Sequence, residues 1–240
     1  MPNALKDQVA LITGASRGIG KAIAVRLAKQ GVSVALVSRN VEALKETAQV
    51  CSEFGNPVLT LPCDLANTGS IQNLVSQTTA KLGGLNILVN NAGVAITDPA
   101  DSGELEDWDL TIDINLRALM HLTRHALPEI EKASRGAVIN IASMAGRRPF
   151  GGASAYCATK HGVVGFSHAL FEDVRERNIK VSAVCPGYVA TEMTSEMGLA
   201  VEKMIQADGV AKAVEFVLTY PDNACPIEIQ IMPQRSPYSS

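Results

Sequence analysis

Residues 8–20 read QVALITGASRGIG, an apolar run rich in β-branched residues that passes directly into a glycine-rich turn. QVALIT has the length of a strand and is apolar nearly throughout, as strands buried on both faces of a parallel sheet are. A helical pattern follows the glycines over residues 18–30. A strand, a glycine turn and a helix in direct succession begin a βαβ unit, so this stretch predicts a parallel α/β sheet.

The same alternation of strand and helix continues along the chain. The predicted strands are QVALIT, VSVALVS, PVLTLPC, NILVN, GAVINIA, KVSAVC and PIEIQIM. The predicted helices cover 18–30, 41–54, 68–83, 107–126, 154–177 and 208–219, and Pro128 is expected to help stop the fourth of them. This pattern predicts an α/β fold, a doubly wound parallel sheet of about seven strands with helices on both faces, in a single domain over residues 1–240.

Composition narrows the classes of function. The chain has 240 residues, is 47% hydrophobic and carries a net charge of −3, so it can build one large core and shows no electrostatic footprint for nucleic acid or a membrane surface. Its start lacks the layout of a signal peptide, no apolar run approaches the roughly 18 residues of a membrane helix, and SPYSS at the end matches no targeting address.

Cysteines and histidines predict neither disulfides nor a metal site. The five cysteines are scattered with no C-x-x-C pair, which favours reduced thiols in a cytoplasmic protein. The four histidines lie on two predicted helices without nearby carboxylates at a ligand spacing, and we expect them to be structural or surface groups.

The glycine turn has the properties of a phosphate site. Gly14, Gly18 and Gly20 permit a tight turn, close approach of the backbone to a pyrophosphate, and close helix packing, and the helix N-terminus offers free N–H groups. The spacing is G-x-x-x-G-x-G and not G-x-G-x-x-G, so a glycine turn without a ligand remains the alternative.

The end of the second predicted strand indicates which dinucleotide would bind. Folds that prefer NAD place an acid here for the ribose 2′-hydroxyl, whereas this sequence has Ser38 followed by Arg39. Arg17 in the glycine turn could approach the same point. Two guanidiniums would make charge-assisted contacts with a 2′-phosphate, which predicts NADP(H); the alternative is two solvated surface charges.

AYCATK at residues 155–160 places a phenol and an ammonium one helical turn apart, at Tyr156 and Lys160. A phenol with a pKa near 10 is a poor proton donor near pH 7. An ammonium about 4 Å away, at an effective dielectric constant of about 20, contributes roughly 4 kcal/mol, or about three pKa units. The spacing therefore predicts a proton donor whose pKa is lowered by Lys160; the alternative is a packed phenol beside a solvated lysine.

These motifs together resemble the short-chain dehydrogenase/reductase family over residues 7 to about 220. The resemblance rests on TGASRGIG (13–20), NNAG (90–93), Asn115, Ser143, YCATK (156–160) and PGYVATEM (186–193), in that order. It implies a single-domain Rossmann-like NAD(P)-dependent oxidoreductase, usually a dimer or tetramer, that transfers hydride between nicotinamide and a carbonyl or alcohol. Helices 107–126 and 154–177 are the dimer surface that we expect.

The resemblance also assigns roles to residues. It implies catalytic roles for Asn115, Ser143, Tyr156 and Lys160. It implies cofactor binding by Gly14, Ser16, Arg17, Gly18, Ile19, Gly20, Arg39, Asp64, Leu65, Asn91, Ala92, Gly93, Tyr156, Lys160, Pro186, Gly187, Val189 and Thr191. Ser143 could instead be a strand cap and Asn115 a satisfied buried amide. Asp64 could accept a bond from adenine or cap the next helix, Asn90 could tie neighbouring strands, and Cys157 is expected to be a packed thiol.

The substrate is less defined. The segment between TEM (191–193) and the last helix is short and contains Met193, Met197 and Met204, which predicts an adaptable apolar pocket and an NADPH-dependent carbonyl reductase. A 3-oxoacyl thioester reductase is the alternative, in which Arg147 and Arg148 could hold a phosphopantetheine, although the chain lacks the DGG-like turn frequent in that subgroup. A further alternative is an NADPH-binding regulator that does not catalyse a reaction. The predicted partners are a small carbonyl compound and further copies of the chain, with no nucleic acid and no membrane.

Overall fold

A parallel sheet forms the centre of the computed structural model, which describes residues 4–238. Its strands are β1 Val9–Thr13, β2 Ser33–Ser38, β3 Val58–Pro62, β4 Ile87–Asn90, β5 Gly136–Ile141, β6 Ile179–Pro186 and β7 Glu228–Ile231. Neighbouring strands run parallel in the order β3-β2-β1-β4-β5-β6-β7. The predicted seven-stranded, doubly wound Rossmann-like fold is confirmed. Residues 1–3 and 239–240 lie outside the described range, so the domain limits predicted at 1 and 240 stay predictions.

Helices cover both faces of this sheet. They are α1 Gly18–Lys29, α2 Val41–Ser52, α3 Thr68–Leu82, α4 Leu105–Ile112, α5 Ala118–Ile130, α6 Ser154–Val174 and α7 Ala207–Thr219. One core packs α1, α2 and α7 against the sheet, and a second packs α3, α5 and α6 against its other face. Among residues 4–238, no helix is both long and apolar enough to cross a lipid bilayer.

The helix predicted over 107–126 is divided in the structure. A π-helical turn, Asp113–Arg117, separates α4 from α5. The prediction that Pro128 helps to stop this helix is wrong. Pro128 lies inside α5, which ends two residues later at Ile130.

Strand register brings the carboxyl ends of the central strands together. The strand order reverses direction at β1, since β2 lies on one side and β4 on the other, and ligands of such sheets bind in the crevice at this point. Asn90 ties the strands together there: its Nδ2 donates to Asn140 Oδ1 on β5 at 2.8 Å and to Thr123 Oγ1 on α5 at 3.0 Å. The expected tying role of Asn90 is confirmed.

Candidate active site

The glycine turn between β1 and α1 is shaped by backbone conformations and contacts that require glycine. Gly14 and Gly18 have φ of +64° and +53°, in the left-handed region. A Cβ on Gly20 would overlap the Gly14 carbonyl oxygen and lie 2.5 Å from Asn91 Nδ2. That amide is fixed, because it donates to the carbonyls of Thr13 at 2.9 Å and Gly14 at 3.2 Å. Asn91 therefore holds the turn in place, while Gly20 lets α1 pack closely behind it.

Four side chains with hydroxyl or guanidinium groups lie beside this turn. Ser38 Oγ, at the end of β2, donates to Ser16 Oγ at 2.8 Å, and Arg39 follows it with an exposed side chain. Arg17 forms an ion pair with Glu192, which lies beyond β6 on the opposite wall. Arg39 thus faces solvent beside two hydroxyls, whereas the guanidinium of Arg17 is already paired.

Asp64 does not cap a helix. Its Oδ1 accepts from the Ala66 amide at 3.1 Å in a local turn, and Asn67 is the N-cap of α3, with Oδ1 accepting from Gly69. The capping alternative for Asp64 is therefore wrong, since α3 begins one turn later than that alternative requires.

Ser143, Tyr156 and Lys160 converge at the ends of β5 and α6. Ser143 follows β5, its Oγ accepts from the Ala145 amide at 3.0 Å, and its hydroxyl hydrogen-bonds the Tyr156 phenol. Lys160 is buried, with Nζ 3.0 Å from the carbonyl oxygen of Ile141 and 5.8 Å from the centroid of the Tyr156 ring. The three side chains therefore form one connected group.

The pKa values of this group differ from the sequence expectation. Burial raises the pKa of Tyr156 above its usual value, and the hydrogen bond from Ser143 opposes that rise. Burial also lowers the pKa of Lys160 to about 8. The expectation that Lys160 lowers the pKa of Tyr156 is wrong for the chain by itself, because the loss of hydration is the largest influence on the phenol and raises its pKa.

Asn115 lies in the π-helical turn, behind the Ser143–Tyr156–Lys160 group. Its Oδ1 accepts from the Val94 amide at 2.8 Å, and its Nδ2 donates to the Val94 carbonyl at 2.9 Å and lies 3.3 Å from Thr159 Oγ1. Gly93 sits between Asn115 and Lys160, since a Cβ there would lie 3.1 Å from Asn115 Oδ1 and 3.7 Å from Lys160 Nζ. The π-helical turn between α4 and α5 thus directs the Asn115 amide toward the Gly93–Val94 segment after β4, which lies beside Lys160.

A cavity of about 800 Å³ joins the glycine turn to the Ser143–Tyr156–Lys160 group. Every residue predicted to bind cofactor lines it except Gly20, which lies beneath the turn. Three of the four predicted catalytic residues line it, and Asn115 stands behind its wall. Gly18 and Thr191 approach each other across it, since a Cβ on Gly18 would lie 3.2 Å from Thr191 Cγ2. The structure therefore brings the predicted phosphate end and chemical end into one space.

Comparison with known proteins gives the family. The model of the family described as short chain dehydrogenase matches residues 8–201. The chain belongs to the short-chain dehydrogenase family. An uncharacterized oxidoreductase of Staphylococcus epidermidis is 33% identical over 229 residues, 95% of this chain and 98% of that protein.

Two solved structures share the fold closely. A metagenomic short-chain oxidoreductase in complex with NADP is 32% identical with a TM-score of 0.84, covering 97% of this chain and 100% of that one. A short-chain dehydrogenase of Burkholderia cenocepacia in complex with NADP is 30% identical with a TM-score of 0.88, covering 95% and 97%. The protein is therefore an oxidoreductase of the short-chain dehydrogenase family.

The cavity of this dehydrogenase has apolar side chains at its mouth, as the sequence predicted, but they are not all the methionines that the sequence indicated. Met193 and Met197 line it and are 49% and 45% exposed, whereas Met204 is buried. Met204 is withdrawn because the next residue, Ile205, bridges to Val189 beside β6. The lining residues that sequence reasoning missed include Phe150, Tyr188 and Met232.

The C-terminal segment after β7 packs against Tyr188, which lines the cavity. The rings of Tyr188 and Tyr238 pack edge to face with centroids 5.6 Å apart, and their hydroxyls are hydrogen-bonded. The Ala200 amide donates to the Pro237 carbonyl at 2.9 Å. Tyr238 after the last strand was the available signal, but its partner Tyr188 lies 50 residues away in sequence.

The neighbouring arginines that follow Ser143 have different surroundings. Arg147 Nε donates to Glu228 Oε1 at 2.9 Å, and a second bond joins the two side chains. His168 Nε2 on α6 lies 3.1 Å from the same carboxylate. Arg148 instead lines the cavity. The idea that both arginines hold a substrate phosphate is therefore wrong for Arg147, whose guanidinium belongs to the Glu228 cluster.

Cys157 is a packed thiol, as expected. Its side chain is buried in a small cluster with Ala145 and Ala153, against Tyr156. Among residues 4–238, no set of three or more His, Cys, Asp or Glu side chains is grouped to hold a metal ion.

Proposed function

We propose that this enzyme reduces a ketone or aldehyde to an alcohol with NADPH. The observation that carries the proposal is the connected Ser143–Tyr156–Lys160 group in the wall of a cavity that also contains the glycine turn. Hydroxyl donors at one end and a phosphate-binding turn at the other are what hydride transfer to a carbonyl needs.

The residues of the chain fit an NADP(H) cofactor. The turn at Gly14, Gly18 and Gly20 leaves the close backbone approach that a pyrophosphate needs, and the N-terminus of α1 offers its free N–H groups. Ser16, Ser38 and Arg39 supply hydroxyl and guanidinium donors, with no acid at the end of β2. When bound, NADPH supplies the hydride. The two NADP complexes among the similar structures support the same choice.

Tyr156 is the proposed proton donor. Because burial raises its pKa, the phenol carries its proton at neutral pH and can give it to the oxygen of a carbonyl. The Ser143 hydroxyl would hydrogen-bond the same oxygen as negative charge develops there. The Lys160 ammonium lies on the ring side of the phenol and would stabilise the phenolate left behind. Asn115 is proposed to complete the group by fixing the Gly93–Val94 segment beside Lys160.

Two alternatives are less well supported. Reduction of a 3-oxoacyl thioester would use the same group, and only Arg148 of the two arginines is free to contact a carrier. A non-catalytic regulator would not need the buried Lys160 beside a hydrogen-bonded Tyr156. From the sequence we also propose that the protein is a cytoplasmic homodimer or homotetramer. Its cofactor-binding and catalytic residues would lie in one domain.

An activity panel tests the proposal. Ketones, aldehydes, quinones and acetoacetyl thioesters would be offered with NADPH and with NADH, and we expect NADPH-dependent reduction of at least one class of ketone or aldehyde. Failure to reduce any of them with either cofactor would overturn the function.

Cofactor choice has its own variant. Arg39→Asp should shift the ratio of kcat/KM for NADPH to that for NADH by about tenfold or more toward NADH, because it replaces a charge-assisted donor with a repelling carboxylate. Lys81→Asp, at an exposed position on α3 outside both the cavity and the expected dimer surface, is the control with the same change in net charge. An unchanged ratio in Arg39→Asp would remove Arg39 from the cofactor site.

A further inference from the structure

The mouth of the cavity contains an arginine to which the reaction assigns no role. Arg148 lines the cavity with an exposed side chain, and its backbone amide is held by the Met144 carbonyl at 2.8 Å. Its guanidinium makes no hydrogen bond or ion pair with any side chain in residues 4–238. The adjacent Arg147 shows the contrast, because Glu228 already binds its guanidinium.

Each of the other charged side chains that line this cavity either has a partner in the described chain or lies at the far end of the cavity, beside the glycine turn. Arg17 and Glu192 pair with each other. Arg39 and Asp64 lie at the glycine-turn end, and Lys160 is held by the Ile141 carbonyl beneath Tyr156. Arg148 is therefore the unpaired charge on the substrate side of Ser143 and Tyr156, within the lining that residues 4–238 provide.

Several of the side chains that line the cavity together with Arg148 are large and apolar. Phe150, Met193, Met197 and Met232 line it and are 50%, 49%, 45% and 55% exposed. Four large apolar side chains left open to water around one cation suit a ligand that is apolar along its length and negatively charged at one end. A neutral apolar ketone would leave the guanidinium without a partner.

The separation between the cation and the reacting group sets the size of such a ligand. Arg148 lies five residues after Ser143, and a fully extended chain of that length spans at most about 17 Å. The intervening residues form a 3₁₀ turn, Met144–Gly146, so the real separation of the backbones is shorter. A carbonyl and an anionic group several methylene groups apart would reach both ends.

We propose that Arg148 is the residue that selects the substrate, by binding an anionic group of an otherwise apolar oxo compound at the cavity mouth. The anion is a carboxylate or a phosphate, so the substrate is a medium-chain oxo acid or a phosphate-bearing oxoacyl thioester. The inference rests on the proposed carbonyl reduction, since it names the substrate class of that same site. A charge-assisted hydrogen bond from a guanidinium is the interaction that would give this selection.

Paired substrates test the proposal and separate the two sources of the anion. One pair is 7-oxooctanoate and its methyl ester; the other is acetoacetyl-coenzyme A and the neutral acetoacetyl-N-acetylcysteamine. In the wild-type enzyme with NADPH, kcat/KM should be higher for the anionic member than for the neutral member of one pair. That pair shows whether the anion that Arg148 binds is a carboxylate or a phosphate. Arg148→Leu should lower that ratio of anionic to neutral substrate by about 10- to 100-fold, and Arg148→Lys should restore part of it.

Lys81→Leu is the matched control, because it removes the same charge from an exposed position on α3, outside both the cavity and the expected dimer surface, and should leave the ratio unchanged. Equal kcat/KM for both members of both pairs in the wild type would overturn the proposal. So would an equal fall of anionic and neutral substrates in Arg148→Leu, which would indicate a structural role.

A binding measurement keeps this inference separate from the proposed function. Octanoate, octyl phosphate and octanamide would be titrated calorimetrically into the protein in the presence of NADP⁺. We expect at least one of the two anions to bind about tenfold or more tightly than octanamide in the wild type, and no more tightly than octanamide in Arg148→Leu. If no carbonyl compound is reduced but this difference is found, the proposed function fails and the anion site stands; if neither anion binds more tightly than octanamide, the anion site fails.

Discussion

Lys160 has the least ordinary environment of the ionisable side chains in the site. It is buried, its ammonium is held by the Ile141 carbonyl, and burial lowers its pKa to about 8. Burying a cation opposes folding unless a negative group compensates, and the compensating groups here are a carbonyl dipole and the ring face of Tyr156. The chain therefore keeps a charge at a place where folding would favour a neutral residue, as functional sites often do.

This burial predicts a pH dependence of stability. Between pH 8 and 10.5 the unfolded chain still holds a proton on Lys160 that the folded chain has released, so the free energy of unfolding should rise with pH across that window. The rise attributable to Lys160 is at most about 3 kcal/mol. Denaturant unfolding of the wild type and of Lys160→Met at several pH values would measure it. A difference between the two that stays constant from pH 8 to 10.5 would contradict the buried-ammonium account.

At the level of single residues, the sequence predicted positions better than environments. Spacing placed Tyr156 and Lys160 on one face of a helix, and the structure has them there. The pKa of Tyr156 could not be predicted from spacing, because it depends on burial by distant segments and on Ser143. The difference between Arg147 and Arg148 was equally hidden, since it depends on Glu228, 81 residues after Arg147.

Among the elements, the turn between β1 and α1 depends most strictly on its sequence. Gly20 lies beneath the turn, where a Cβ would collide with the Gly14 carbonyl and the Asn91 amide. Both of these atoms are fixed by the hydrogen bond that joins them. A side chain at residue 20 would therefore displace the very backbone that is proposed to contact the pyrophosphate.

Gly20→Ala should lower the free energy of unfolding by about 1 to 3 kcal/mol, the usual cost of overpacking, and should also weaken NADPH binding. Thermal unfolding and a fluorescence titration with NADPH would measure the two effects. Gly84→Ala is the matched control, because no heavy atom lies within 4 Å of its Cβ and its φ is not left-handed. That control should raise stability by up to about 1 kcal/mol; equal effects of the two substitutions would contradict the account of the turn.

Strand β7 is joined to the active site through Glu228. This carboxylate binds Arg147, which follows the Ser143 segment, and lies against His168 on α6. The guanidinium of Arg147 holds the pKa of Glu228 below its usual value. One side chain thus links the last strand to the two elements that position Ser143 and Tyr156.

Glu228→Gln should therefore destabilise the protein by about 1 to 2 kcal/mol at pH 7. Because the folded pKa is depressed, this contribution is fully present above about pH 4.5 and is lost as pH falls through the folded value. Thermal unfolding at pH 7 and pH 3.5 would compare the variant with Glu42→Gln, which loses only the exposed pair with Lys45 and should change little. Loss of the same stability in both variants, or no pH dependence in Glu228→Gln, would contradict the role given to Glu228.

For the molecule as a whole, the alternation of apolar runs and helical patterns was enough to predict the fold. Each predicted strand appears within about two residues of its observed bounds, because buried parallel strands have a simple apolar pattern. Strand order was not readable from periodicity, since β3 lies at one edge and β7 at the other through contacts between distant segments. The division of the fourth helix and the contact of Tyr238 with Tyr188 were missed because they depend on a π-helical turn and on a non-local contact.

The architecture explains why the site lies where it does. Five strand ends deliver the glycine turn, Ser38, the Asn91–Gly93 segment, Ser143 and Thr191 to one edge of the sheet. Helix α6 then brings Tyr156 and Lys160 to the same edge. The topology therefore assembles the candidate site, and the proposed proton donor in it is the Tyr156 phenol.

That phenol provides the most direct measurement. We would follow the oxidation of NADPH during the reduction of a carbonyl compound that the wild type accepts, for the wild type and for Tyr156→Phe, with NADPH affinity measured separately in both. The account predicts that kcat falls by about 10²- to 10⁴-fold in Tyr156→Phe while the variant still binds NADPH, because a positioned general acid contributes that much. A Tyr156→Phe enzyme that reduces the carbonyl at the wild-type rate would contradict the central claim that Tyr156 is the proton donor.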